Sequence, residues 1–539
     1  MSPTRYAHYL ALPGLVACST LLAGCLSPEA HSVFTPDWDQ HLRAADADHP
    51  DLPQSPSLRS AHPEDWVADK LETAGPIELS VEEAVVMALR NNRDLQVQQL
   101  SPVITGTFEQ IERGVFDPEL FAELAFGQST ASEIDRGTGQ QFSVDDSEAQ
   151  AIAGVRQQLP SGTDVELSIG QNRDTSNRAP EQQDARIGLT VTQQLLRGAG
   201  PAVNLARLEQ AKLDTAASRY VLRGFAEALL AQVETTYWQY VLAAERIAIF
   251  ERSRDVALTQ LDVIEKRVAV GALARTELAA ARAELARREQ ALIDARSDLE
   301  AQRLRLLRLI DANPEGELTR EVRVTSRPQL EPEPLNDLRE HLQLARGSRN
   351  DLAEARLRLE QDRLETIVTR NGVLPRLEVF AALGKTGYAD TFGNSFSELD
   401  SDTYDLSAGV RLSHLLGNDA AQARNQAAYA SRRQSAAAIS NLEQLVELDV
   451  RLAANELERA RQQITASATT RSLQEETVRA EEERFEVGAS TTLLVAQAQR
   501  DLLETQIAEV EAIVAYRLAL IDLYLAEGSL LDRRGFVLE

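Results

Sequence analysis

Two periods of apolar residues take turns along the chain. Val81, Ala84, Val85, Ala88 and Leu89 fall on one helical face. Ser80 and Glu83 stand three apart, as in a capping box, so the pattern predicts a helix from Ser80 to about Arg113. From Phe116 the period drops to two. Leu120, Leu124 and Phe126 alternate with Phe121, Glu123 and Gly127, and a polar loop is expected next. The stretch "AQAIAGVRQQL" is a weaker strand, ended by Pro160-Ser161-Gly162. Val165, Leu167 and Ile169 alternate with Glu166, Ser168 and Gly170, and Ile187, Leu189 and Val191 with Gly188, Thr190 and Thr192. Four strands are predicted. Asn204 to Ile310 then contains no proline, and only Gly224 and Gly271 interrupt it. Leu278, Leu285, Leu292, Leu299 and Leu306 recur every seven residues there, a coiled-coil spacing that implies packing.

After a proline-rich connector, "SRPQLEPEPLND", the pattern restarts. A helix is predicted around "LARGSRNDLAEARLRLEQ". Two strands follow Pro375: Leu377, Val379, Ala381 and Leu383 alternate in the first, and Tyr404, Leu406, Ala408, Val410 and Leu412 in the second. Asn418 to Glu527 is one long helical run without proline, and Gly488 is its only glycine. The order helix, strands, long helical run therefore occurs twice, which reads as an internal duplication. Asp94-Leu95 matches Asp351-Leu352 at an offset of 257, and Gly271 matches Gly488 at 217. The first copy is longer by about 40 residues between those landmarks, room for an additional hairpin.

Length constrains the assembly. At about 1.5 Å per residue, Asn204 to Gly271 spans roughly 100 Å as a helix, and Gly271 to Ile310 about 60 Å. If the chain reverses at Gly271, the returning helix is too short for its partner. The helix from Ser80 to Arg113 has about the missing length, and Leu335–Gly372 fills the same gap in the second copy. The simplest assembly lays two shorter helices end to end along each long one. Strands leave at one end, and Gly271 and Gly488 turn the chain at the other, where positive φ costs glycine nothing. Thr276 or Thr491 is a candidate cap for the returning helix.

Charge and cysteine usage narrow the function. The chain has 539 residues and a net charge of −27, which repels phosphate and argues against a nucleic-acid partner. Both cysteines, Cys18 and Cys25, lie in the first 25 residues, so thiol catalysis and disulfides are excluded beyond them. None of the seven histidines has metal-ligand spacing, and no G-x-S-x-G occurs. No enzyme and no cofactor are expected. Arg5, an apolar core from Tyr9 to Leu22 and small residues after it read as a secretion signal over residues 1–25. Leu22-Ala23-Gly24-Cys25 resembles a lipoprotein lipobox, which implies lipidation of Cys25; the alternative is an ordinary cleaved signal with a chance cysteine. Residues 26–76, rich in Pro, Asp, His and Ser, read as a poorly ordered tether holding Trp38 and Trp66. No mature segment is apolar over 18 residues, so a membrane is crossed by strands in a closed barrel or not at all.

Several stretches together resemble the TolC family of outer-membrane efflux proteins: "LSVEEAVVMALRNNRDLQ", "SRNDLAEARLRL" with "LPRLEVFAALG", "TTYWQYVLAAERIAI", and the tips "RVAVGALARTELAAARAEL" and "RFEVGASTTLLVAQAQRDL". The resemblance covers about residues 77–528. It implies a mainly α fold with β: long coiled-coil hairpins forming a periplasmic α-barrel on a shared transmembrane β-barrel, in a homotrimer. The expected segments are a first repeat over 77–327, a linker over 328–335, a second repeat over 336–528 and a tail over 529–539. The implied function is the passive outer-membrane exit channel of a tripartite efflux pump or a type I secretion system, lipid-anchored and reaching into the periplasm. The implied partners are a periplasmic adaptor and an inner-membrane pump or exporter, with docking at Arg267, Val270, Gly271, Ala272 and Leu273 and at Arg484, Val487, Gly488, Ala489 and Ser490. The plainer reading of both glycines is a helix reversal with no partner.

Two departures stand out. The family places two strands in each repeat, and this first repeat shows four, so either the barrel is larger or a hairpin lies outside it. Well-known members carry an arginine and two aspartates after the second tip glycine, where Ser490, Leu494 and Gln497 stand here. The expected pore entrance is therefore Glu277, Leu493, Leu494 and Gln497, held by apolar contact rather than an acidic ring. Tyr388 and Tyr404 are candidates for an aromatic belt. The competing reading is a lipid-anchored periplasmic coiled-coil scaffold without a pore, its strands forming a soluble sheet.

Overall fold

The computed structural model describes residues 58–60, 76–310 apart from 135 and 179, 318, 320–327 and 337–538, all within the unit Ser55–Glu539. The expected signal with Cys25, nearly all of the tether and the linker 328–335 lie outside these residues. Inside the tether, β1 (Leu58–Ser60) is a strand antiparallel to the C-terminal segment 536–538. β2 (Ile77–Leu79) pairs in parallel with residues 322–324.

The capping box opens α1 (Val81–Asn91): the Glu83 N–H donates to Ser80 Oγ at 3.2 Å, and the Ser80 N–H donates to Glu83 Oε2 at 2.8 Å. The single helix expected from Ser80 to Arg113 breaks at Asn92, whose ψ of 121° ends the intrahelical bonding. Asn92 then caps α2 (Arg93–Gly114), accepting from the Leu95 N–H at 3.1 Å and donating to the Leu309 carbonyl at 3.2 Å. The second half breaks at the equivalent place. Arg349, with ψ 119°, separates the shorter helix Leu338–Ser348 from Asn350–Gly372.

Six strands form one antiparallel sheet in the order β3 (Glu119–Ile134), β4 (Gln141–Leu159), β5 (Thr163–Ser176), β6 (Gln182–Gln194), β8 (Arg376–Ala389) and β9 (Tyr404–Ser413), with β7 (Val322–Val324) and β10 (Phe536–Leu538) in the small pairs. All four strands of the first half belong to it, so the additional hairpin lies inside the sheet. The polar stretch after Gly127, expected as a loop, continues two strands until Ile134 meets Gln141. Backbone pairing extends there without apolar alternation, because the register is already fixed below it.

Two long helices carry the remainder. α3 (Ala206–Ala269) reverses into α4 (Arg275–Ile310); after α5 (Leu338–Ser348) and α6 (Asn350–Gly372), α7 (Asp419–Glu486) reverses into α8 (Thr492–Glu527). Both α1–α2 and α4 lie along α3, and both α5–α6 and α8 lie along α7, the end-to-end stacking that length required. Contacts of α6 and α8 with α3 join the halves. Of the heptad leucines, Leu292 and Leu306 are buried and Leu278, Leu285 and Leu299 half-buried. One core gathers Ile77, Leu79, Tyr237, Trp238, Leu306 and Ile310; another gathers Leu352, Val450, Leu457, Tyr516 and Leu523. Tyr237 is fully buried, and its hydroxyl donates to the Leu79 carbonyl at 3.0 Å and accepts from the Ser326 N–H at 3.1 Å. Satisfying both roles removes the cost of burying that group.

Candidate channel wall and helical tips

Cross-strand partners share a face, so the register sorts the sheet into two surfaces. One is apolar. Leu120, Ala122 and Leu124 pair with Val155, Ala153 and Ala151; Leu167 and Ile169 pair with Leu189 and Ile187; Val379, Ala381 and Leu383 pair with Val410, Ala408 and Leu406. This face is open: Phe126 is 84% exposed, Leu120 80%, and Val410 and Leu412 67% each. A band of this extent facing water is unfavourable by about 25 cal/mol for each Å². Facing lipid it costs nothing. Every strand has at least ten residues, enough for the roughly 9–11 that span a bilayer. Tyr404 lies on the apolar face opposite Lys385, whereas Tyr388 pairs with Asp184 on the other face, so the belt assignment of Tyr388 is corrected.

The other surface is polar. Arg156 binds Glu119 at 2.7 Å, Arg186 binds Asp405 at 2.6 Å, and Arg411 pairs with Glu378. Two of its aromatics, Phe121 and Phe380, lie flat. The Phe121 ring covers Gly154, where a Cβ would meet it at 2.8 Å, and the Phe380 ring covers Gly409, where a Cβ would meet it at 2.7 Å. Arg156 and Arg411 then stack over these rings at 5.5 and 5.4 Å. The same unit is built twice: Glu119-Leu-Phe121 against Ala153-Gly154-Val155-Arg156, and Glu378-Val-Phe380 against Ala408-Gly409-Val410-Arg411. The repeated tetrapeptide is visible in the sequence, and the sequence reading passed over it.

At the far end of the hairpins both reversals have one geometry. Gly271 has φ 77° and Gly488 φ 75°. The Gly271 N–H donates to the Val268 carbonyl at 3.0 Å and the Ala272 N–H to Arg267 at 2.8 Å; Gly488 to Phe485 at 3.1 Å and Ala489 to Arg484 at 2.7 Å repeat this. These are Schellman turns, which need a left-handed residue at the glycine. Thr491 caps α8, accepting from the Leu494 N–H. Thr276 lies inside α4, so it is not the cap of that helix; Ala274 stands at that position with no side chain to donate or accept.

The tips present an apolar surface. Val270 and Val487 are each 80% exposed, Gly271, Ala272, Gly488 and Ala489 are exposed, and Leu273 and Ser490 are half-buried. The Arg267 side chain joins the two tips through Phe485, and Phe485 and Glu481 are the tip residues that sequence reasoning missed. The Arg267 guanidinium lies 5.2 Å from the centre of the Phe485 ring. Glu481 binds Arg484 at 2.7 Å and accepts from Ser490 Oγ at 2.8 Å, and the Ser490 hydrogen bond, ahead of Arg484, holds its carboxyl below the usual range. The four residues read as a pore entrance do not form one cluster. Leu493 lines a groove between the hairpins with Ala257, Ala281 and Thr492, Leu494 and Gln497 are exposed, and Glu277 is half-buried near the first turn. No helix among the described residues is long and apolar enough to cross a membrane, and none of their acidic, His or Cys groups cluster to hold a metal.

Comparison with known proteins agrees with this arrangement. The family model for outer membrane efflux proteins matches residues 138–311 and 341–529. No curated protein matches the chain. Among solved structures, CusC is 16% identical with a TM-score of 0.61 over 85% of this chain and 95% of its own. The CmeC outer membrane channel of Campylobacter jejuni is 15% identical with a TM-score of 0.62 over 88% and 94%. The MtrE outer membrane channel of Neisseria gonorrhoeae is 17% identical with a TM-score of 0.58 over 89% and 98%. At these identities the likeness is one of fold, with long helices joined to a membrane sheet.

Proposed function

The chain belongs to the outer membrane efflux protein family, and from that premise we propose that three copies close one barrel across the outer membrane and extend one helical conduit into the periplasm. It is an efflux channel, a transport protein that moves cargo passively. The observation that carries the assembly is the open six-stranded sheet with its bare apolar face. Six strands are too few to close a transmembrane barrel, whose small members use about eight, and a free edge in lipid leaves backbone groups unsatisfied. Copies must pool their strands. A soluble sheet on a scaffold leaves the same apolar band in water, which disfavours the pore-free alternative.

In this reading Val270 and Val487 with their flanking tip residues dock a periplasmic adaptor, and an inner-membrane pump or exporter supplies the energy. A lipid on Cys25 adds a second hold on the membrane. Glu277, Leu493, Leu494 and Gln497 stand near the entrance. The test uses Cys25→Ala, secreted behind a cleavable signal so that no lipid is attached. Light scattering then reports detergent need and chain number. A detergent-dependent trimer is expected; a water-soluble monomer would sink the channel and leave the scaffold.

A further inference from the structure

We propose that the barrel holds eighteen strands, six from each of three copies, closed where β9 of one copy pairs with β3 of the next; this rests on the pooled-barrel reading above. Several observations converge. The six strands form one continuous ladder, so β3 and β9 are its two free edges. The apolar band runs unbroken onto both, through Leu120, Ala122 and Leu124 on β3 and Leu406, Ala408 and Val410 on β9. Were the first hairpin folded away from the membrane, Leu120 and Phe126 would meet water at 80% and 84% exposure. The strand number per copy is even, so β9 of one copy runs antiparallel to the next copy's β3, as every other pair in the sheet does.

The polar face gives an independent pointer. Arg156 on β4 stands between Glu119 on β3 and Glu166 on β5. Its counterpart Arg411 on β9 has Glu378 on one side and the free edge on the other. The next copy's β3 would bring Glu119 and Glu123 to that edge on the same face, continuing the alternation of charge.

Width agrees as well. At the strand end, α2, α3, α6 and α7 touch in that sequence, four helices in each copy. Helices about 9 Å apart cover about 36 Å of arc. Six strands about 4.8 Å apart, tilted about 40°, cover about 38 Å, whereas four cover about 25 Å. Six strands fit the helical wall without a step. An eighteen-strand barrel is about 36 Å across its backbone, in the range of porins that hold open water. Phe121 and Phe380 lie flat against glycines and so do not narrow that lumen. The outer exit therefore takes large hydrated cargo, and selection falls to the helical end.

Disulfide trapping tests the closure. Beyond Cys25 the chain has no cysteine, so the Cys25→Ala chain secreted behind the cleavable signal, without Cys18, is a silent background. Ala408→Cys is combined in turn with Leu120→Cys, Ala122→Cys and Leu124→Cys, residues of one face parity, since directly opposed Cβ atoms stand about 4.5–5.5 Å apart. One pair is expected to give covalent dimers and trimers in reconstituted membranes. Linking of Ala408→Cys to Ile169→Cys or Leu167→Cys instead means that β5 is the closing edge and the barrel has twelve strands, which overturns the proposal. Absence of both links in a detergent-dependent trimer also overturns it while the pooled barrel stands. A soluble monomer ends both readings. Imaging the unmodified protein in nanodiscs counts the strands without relying on any variant.

Discussion

Gly488 and Gly528 share a left-handed backbone, with φ of 75° and 68°, but their surroundings differ. A Cβ on Gly488 would meet nothing within 4 Å, whereas one on Gly528 would meet the Arg349 Cα and the Ser348 carbonyl at 2.9 Å. Alanine at 488 therefore adds only left-handed strain, about 1–2 kcal/mol. Alanine at 528 adds a backbone clash of about 1–3 kcal/mol more, where α8 ends against the break between α5 and α6. Thermal unfolding should rank Gly528→Ala well below Gly488→Ala; equal losses would refute this account. Two nearby acids give opposite pH slopes. Burial pushes the Glu227 carboxyl up, against the pull of the Leu530 N–H and Arg223. Burial also raises Asp351, but Arg349 at 2.6 Å and the Leu352 N–H outweigh it and leave that carboxyl low. Folded Glu227 binds its proton more readily than unfolded chain does. Its contribution therefore worsens as pH rises from the ordinary carboxylate value through the raised one. The Asp351 contribution is present above the ordinary value and is lost as pH falls through the depressed one. Melting curves across pH should show Glu227→Gln flattening the former slope and Asp351→Asn the latter. A uniform offset at every pH would contradict the assignment.

Hairpins and strands behave as elements, and the tips are where two of them present one surface. Val270 and Val487 stand outward at equivalent places on the two turns, with no structural contact that needs them. Val270→Asp with Val487→Asp should leave the detergent-dependent trimer intact and lose capture of the adaptor. Unchanged capture would reduce both tips to plain reversals. The reversals themselves were legible, since one glycine in an otherwise unbroken helical run marks a positive-φ turn. What lies across the turn was not: Phe485 acquires its role against Arg267 only when the second hairpin comes beside the first, and Glu481 acquires its own only when the chain turns to bring Ser490 back to it. The breaks at Asn92 and Arg349 were hidden because the apolar face continues through them. Glu227 and Glu234 carried no signal in the sequence, because their partners, the Leu530 N–H at 2.8 Å and Arg534 at 2.6 Å, come from the distant C-terminal segment. The strands were legible wherever one face is apolar, and their upper halves were missed where both faces are polar. Tyr388 was misplaced although parity with Leu377, Val379 and Leu383 already put it on the opposite face.

For the whole molecule, membrane insertion depends on which side of the sheet meets lipid, and adjacent residues of β9 test that most sharply. Ala408 is near the middle of the strand on the apolar face, and Ser407 beside it faces the polar surface with Ala382. Arginine on a lipid face at mid-depth costs about 2–4 kcal/mol, while a lumen position mainly alters selectivity. In a trimer each penalty is incurred in all three copies, so Ala408→Arg should fail to assemble in the outer membrane. Ser407→Arg should assemble normally and shift the single-channel current toward anions, because its guanidinium enters the lumen close to Asp405. The readouts are the trimer yield in membrane fractions and the reversal potential in a salt gradient. If both variants assemble alike, the apolar face does not touch lipid. If Ser407→Arg assembles without moving the reversal potential, the polar face does not line the conduit.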